Sequence, residues 1–280
     1  MIVATQSVSQ QQEQQKNADK PHLSASQIET FTTCSLKWWL SRRHAPERVA
    51  STLRFGGAYH KAKQVYYQGR LEGRDVTHAQ MMTAYETAWV NEAKRYPGIP
   101  VVYGKKETEE NLRDTAGRMF EAFLGSVQPA EVIAVEEPFE IFIADGLPPL
   151  VGAMDLIEIR TTETGRVLWI VDHKSAAKRP TERSGPHKDQ LVWYGIGVAR
   201  NGILKQFGLP LGLRFDVVTK TKTPEVISLE VKPTRRDAER LIARTGVIWK
   251  AMQAEAVWPT AGWWCAGCGY QKRCEKWPKV

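Results

Sequence analysis

Long apolar runs are missing from this sequence. The longest candidate, residues 191–199, is far shorter than the about 18 residues a membrane span requires, so a membrane protein is not expected. Cysteine is scarce, four in 280 residues, and the chain opens without a basic stretch followed by an apolar one. Neither a disulfide framework nor export is therefore expected; the thiols read as metal ligands or core residues, and the expected compartment is the cytoplasm. A phosphate-binding loop for ATP is missing too, because five residues separate Gly98 from Gly104-Lys105 and Lys106 stands where Ser or Thr belongs. The sequence carries no motor motif.

What is present is positive charge, 39 basic against 31 acidic side chains, a formal +8. Polyanions, nucleic acid above all, are the expected partners. Hydrophobic residues make up 42% of the chain, enough for a sizeable core. Residues 1–23 begin Gln- and Ser-rich and are expected to form a disordered tail outside the fold.

Ser26 followed by Glu29 reads as a capping box opening a helix over 26–40, with Ile28, Phe31, Cys34 and Trp38 on one face. Further helices are predicted over 55–68, 77–96 and 107–124. From 131 the pattern turns β-branched and aromatic, with strands over 132–143, 150–159 and 166–175. A helix over 188–200, strands over 213–219 and 226–231, and a helix over 235–255 follow. The expectation is an α/β fold forming a single domain over 24–280: a helical part (24–128), a catalytic core (129–257) and a Cys-rich strap (258–280).

The chemistry concentrates at Asp172-His173-Lys174. Chance alone supplies about two acid-x-lysine triplets in a chain of this composition, and there are three. Glu92 and Lys94 fall in a helix, where residues two apart diverge, and Glu230 and Lys232 lie on the polar face of an alternating strand. Only Asp172 and Lys174 end a strand that is apolar on both faces, Val167 to Val171. Asp155 supplies a second carboxylate amid apolar neighbours on the preceding strand. Two such acids repel unless a divalent cation lies between them. Asp155, Asp172 and the His173 carbonyl, with waters and a phosphate oxygen, suit Mg²⁺ or Mn²⁺, and Lys174 would orient water or neutralise developing charge. The competing reading is a buried Asp-Lys-Asp ion network. Lys178, Arg179, Arg183 and Lys188 follow in or beside the next loop, where they would track a nucleic-acid backbone. Trp38, Trp39, Trp263 and Trp264 read as core packing rather than base-stacking platforms.

Cys265, Cys268 and Cys274 form a Cys-x2-Cys-x5-Cys run, with Cys34 far upstream. Four thiolates suit either zinc or an iron-sulfur cluster, and the run does not match a zinc finger or ribbon.

Taken in order, these residues resemble the RecB-like branch of the PD-(D/E)XK nucleases, in particular the CRISPR-associated and phage exonucleases with a four-cysteine iron-sulfur cluster. The likeness runs from Ser24 to Trp277. Gly56 and His60 resemble the family's Gly-x-x-x-His helix, which implies that His60 is a metal ligand. Gln190 and Tyr194 match its Gln-x-x-x-Tyr element, implying that they position DNA or catalytic groups. Gly152 and Asp155 stand as Gly-x-x-Asp in place of the superfamily's Pro-Asp pair. The likeness implies a restriction-endonuclease-like core, a [4Fe-4S] cluster on Cys34, Cys265, Cys268 and Cys274, and exonuclease action on DNA, single-stranded by preference. It further implies a helicase, recombination or CRISPR-adaptation partner. A spacer-trimming nuclease of CRISPR adaptation, and a DNA-binding iron-sulfur subunit that no longer cuts, are the alternatives.

Overall fold

The computed structural model describes residues 21–95, 97–127, 129–181 and 188–277. The β-branched segments form one five-stranded sheet of β3 (Glu131–Ile141), β4 (Leu150–Thr162), β5 (Gly165–Ala176), β6 (Leu211–Thr219) and β7 (Val226–Glu230), neighbours in that order. Only β5 and β6 run parallel. A parallel pair needs a crossover, and α6 (Asp189–Asn201) with α7 (Ile203–Phe207) provides it. A two-stranded parallel sheet, β1 (Val49–Ala50) with β2 (Val101–Val102), lies apart from the main one.

β5 is central, and its apolar run is explained by burial on both faces. Leu168 and Ile170 join Leu191, Trp193, Leu241 and Ile248 on the side of α6 and α8 (Arg235–Gln253). Val171 joins Phe55, Tyr59, Met81 and Phe120 on the other side, under α3 (Ser51–Leu71), α4 (His78–Arg95) and α5 (Glu109–Ser126). Helices thus flank a mixed sheet on both faces, a restriction-endonuclease-like core. Among the described residues no helix is long and apolar enough to cross a membrane.

Two expectations are corrected at the start of the fold. The predicted tail was drawn over 1–23, but Leu23 is fully buried and bridges to Leu150; residues 1–20 of that prediction lie outside the described residues. The predicted helix over 26–40 is two helices, α1 (Ala25–Thr33) and α2 (Ser35–Ser41), broken at Cys34 in extended conformation. Ser24 caps α1 in place of Ser26, and Cys34 Sγ caps α2 by accepting from Lys37 N. In-phase apolar residues on both sides of the break hid it.

On the α3 side, the Arg214 guanidinium is buried between Glu158 and Asp216, donating to Asp216 Oδ1 at 2.9 Å and also to Glu158. Ser228 Oγ donates to Asp216 Oδ1 at 2.7 Å. Removing the cation would leave buried Asp216 without its guanidinium and Glu158 with Arg160 alone. Arg214→Met is expected to cost about 3–5 kcal/mol of stability, read by chemical denaturation.

Candidate active site and adjoining groove

The β4–β5 ladder stops at Leu156↔Val171, so Asp155 and Asp172 are the next residues outward on adjoining strands. Asp155 Oδ2 accepts the His173 backbone N–H at 2.8 Å and lies 3.4 Å from His60 Nδ1 on α3. Asp172 is fully buried, with Lys174 Nζ 2.7 Å from its Oδ2. Lys174 is the group that meets this carboxylate, and its Oδ1 has no hydrogen-bond partner among the described residues. Burial pushes the Asp172 carboxyl up to about 6, with Asp155 adding to the rise and Lys174 opposing it. Asp155 is raised as well, by burial against the His173 N–H. Burial holds His60 below the usual histidine range, so the imidazole is neutral at pH 7.

A relay extends from the lysine. Lys174 Nζ donates to Gln190 Oε1 at 2.8 Å, and Gln190 Nε2 donates to the Tyr194 hydroxyl at 2.7 Å. An ammonium only donates, so Gln190 must turn its carbonyl to Lys174 and its amide to Tyr194, leaving the tyrosine O–H free to donate onward. Burial and the charges of Asp172 and Asp155 raise the Tyr194 phenol, keeping it protonated. The Phe139 ring meets Tyr194 edge-on at 5.8 Å. That ring lies over its cross-strand partner Gly152, where an added Cβ would sit 2.8 Å from it. The glycine of Gly-x-x-Asp therefore makes room for the ring that backs Tyr194.

His173 turns the other way, stacked on Tyr67 at 5.1 Å with both ring nitrogens buried and without hydrogen-bond partners among the described residues. Its backbone alone faces the acids.

A groove of about 1040 Å³ leads away from Lys174, walled by Lys178, Arg179, Arg244, Thr32 and Trp193 and bordered by Trp263. The predicted backbone-tracking residues divide. Lys178 is exposed in the groove, Arg179 is paired with Glu225, and Lys188 Nζ contacts Asp237 Oδ1 at 3.3 Å, away from the groove lining. Arg183 lies outside the described residues.

A sequence profile described as the PD-(D/E)XK nuclease superfamily matches residues 22–275. The chain belongs to this superfamily. It is a nuclease, a hydrolase of nucleic-acid ester bonds. No curated protein matches the sequence. Among solved structures, the crystal structure of a protein described as "Putative exonuclease" from Eubacterium rectale is similar, at 15% identity and a TM-score of 0.45, covering 97% of this chain and 94% of that one. The crystal structure of SSO0001 is similar at 16% identity and a TM-score of 0.33, covering 88% of this chain and 96% of that one.

Nucleases of this superfamily typically use Mg²⁺ or Mn²⁺. Among the described residues, no three His, Cys, Asp or Glu side chains are drawn into a ready-made metal cage. Two carboxylates nevertheless fit a hard cation that keeps several waters and takes phosphate oxygens, and the unpartnered Oδ1 of Asp172 favours it.

Two residues near the acids carry no sequence expectation. Glu136 on β3 lies in register opposite Asp155, in a left-handed conformation with φ 54°. Burial, together with Asp155 and Asp172, pushes its carboxyl up to about 7. Nothing in the local sequence marks it, because its position depends on the cross-strand register. Lys63, one turn beyond His60 on α3, is buried with its Nζ 3.7 Å from the Phe123 ring centroid, and burial pushes it down to about 7. The His-x-x-Lys helical spacing was its available signal.

The cysteines come together from both ends of the fold. Cys34 packs with Cys268, Cys274 and Tyr270, and its Sγ accepts N–H groups from Lys37 and Thr260, each at 3.5 Å. Burial and then the Cys34, Cys268 and Cys265 thiols push the Cys274 thiol up.

The raised Asp172 pKa has a measurable consequence. Ionising this side chain in metal-free protein costs on the order of 3 kcal/mol above about pH 6, a cost that fades as pH falls towards 4. Asp172→Asn is therefore expected to raise the Tm of metal-free protein by several degrees at pH 7 and by much less at pH 4.5. Added Mg²⁺ should stabilise the wild type and not the variant, as read by calorimetry.

Proposed function

We propose that the protein is a Mg²⁺- or Mn²⁺-dependent DNA exonuclease acting on single strands, with Asp155, Asp172 and His60 as metal ligands and Lys174 as the catalytic lysine. The observation that carries this reading is Asp172: fully buried beside a second acid, with Lys174 Nζ against its Oδ2 and no partner for its Oδ1 among the described residues. A structural ion network would be expected to satisfy both oxygens, and Oδ1 has no partner among the described residues.

The two carboxylates, with the His173 carbonyl, would hold the cation, which when bound polarises the phosphoryl oxygen and lowers the pKa of a water. Lys174, fixed between Asp172 and Gln190, orients the attacking water and offsets charge building on phosphorus. Tyr194, whose oxygen accepts from Gln190, keeps its O–H free to donate onward. Water forms the new P–O bond, the bond to the leaving oxygen breaks, and that oxygen takes up a proton. Neutral His60 remains available as a ligand at pH 7. Lys178 in the groove supports sequence-independent backbone contact.

We further propose that Cys34, Cys265, Cys268 and Cys274 hold a structural [4Fe-4S] cluster. The packing of Cys34 with Cys268 and Cys274, the influence of Cys265 on the Cys274 thiol, and the two N–H groups donated to Cys34 Sγ support it.

End-labelled single- and double-stranded DNA with Mn²⁺ tests the first reading. Cleavage from an end by wild type and a roughly 10²–10⁴-fold loss in Lys174→Ala are expected; equal cleavage by both would refute it. Anaerobic purification tests the second. A brown protein with about four irons per chain is expected, whereas a colourless one with stoichiometric zinc overturns the cluster.

A further inference from the structure

Trp263 is the most exposed large apolar side chain among the described residues, 87% accessible. This corrects the expectation that it packs in the core. A single exposed aromatic needs no explanation, but this one borders the groove that begins at Lys174. It is also held in place. Trp263 opens a short 3-10 turn (Trp263–Gly267), and the Trp264 ring meets it edge-on at 5.9 Å. Trp264 is fixed in turn, its Nε1 donating to Thr260 O at 3.0 Å. Gly262 lies so close under the Trp264 ring that an added Cβ would sit 2.3 Å from it. The indole is thus presented to solvent on a braced support, two residues before Cys265.

The groove joins two kinds of chemistry. Lys174 and Lys178 bring cationic groups to it, Arg179 and Arg244 line it while paired with Glu225 and Asp189, and Trp263 adds an exposed ring at its border. Cations that track a phosphate backbone, combined with an aromatic platform for a base, characterise sites for single strands. In a duplex the bases are already stacked on each other and offer no face to an indole.

We propose that Trp263 is a base-stacking platform: one nucleobase of a single-stranded DNA lies on its indole while the backbone runs through the groove to Lys174. The proposal rests on the nuclease reading above and names the feature by which that site selects single strands. It also gives the cysteine strap a second role, as the mount for Trp263.

The test uses full-length protein and a fluorescein-labelled oligothymidylate in EDTA, where binding is read without cleavage. Trp263→Ala is expected to bind between about five- and a hundred-fold more weakly than wild type. Trp263→Phe should restore most of the loss, and in Mn²⁺ the effect should fall on KM rather than kcat. Moving a single abasic site along the oligonucleotide should reveal one position that weakens wild type and leaves Trp263→Ala unaffected. Exposure of Trp263 makes misfolding of the variants unexpected, and an unchanged melting curve checks it. Equal binding by wild type and Trp263→Ala, or identical abasic scans, overturns the platform while cleavage by wild type leaves the nuclease reading intact. Wild type that neither binds nor cuts single strands overturns both.

Discussion

Everything at the site turns on one carboxylate placed where water cannot reach it. Asp172 ends the central strand, fully buried, and its neighbour across the ladder is another acid. Burial and like-charge repulsion outweigh the attraction of Lys174, which is why its proton is held more tightly than usual. The arrangement is unfavourable for folding, and on the proposed reading it favours a cation that brings its own waters and phosphate. On that reading stability and chemistry pull on Asp172 in opposite directions, as they commonly do at functional sites.

The surroundings hold that conflict in place. On the α6 side, Lys174, Gln190, Tyr194, Phe139 and Gly152 form a succession in which each group fixes the next. On the α3 side, Arg214 is compensated by Glu158 and Asp216, and Lys63 lies buried over the Phe123 ring. The two faces thus do different work. One orients donors towards the acids, and the other keeps a charged layer beneath them.

Much of this was legible because charged residues interrupting an apolar strand break a pattern. Asp155, Asp172 and Lys174 announced themselves in that way, and Gln190 with Tyr194 did so by helical spacing. The sheet was legible from β-branched runs. Glu136 was not, since adjacency across β3 and β4 depends on a register that includes a bulge near Val132. The break at Cys34 was hidden because apolar residues on either side continue in phase. Trp263 was misassigned because a tryptophan's identity carries no sign of whether its ring is covered or displayed. Basic loop residues were equally ambiguous: composition does not tell whether an arginine such as Arg179 meets a phosphate or a neighbouring glutamate.

The C-terminal strap fastens onto the opening helices through partners far apart in sequence. Ser35 exchanges hydrogen bonds with Trp258, 223 residues away, and Arg48 donates to the Cys268 carbonyl. Leu36, Leu40 and Tyr270 close over the same junction. During synthesis the first helices emerge long before their cover exists, so α2 cannot bury this face until residues 258–270 have left the ribosome. Assembly of this corner is a late and non-local event, and polypeptides that stop short of residue 258 would leave an apolar surface open to association.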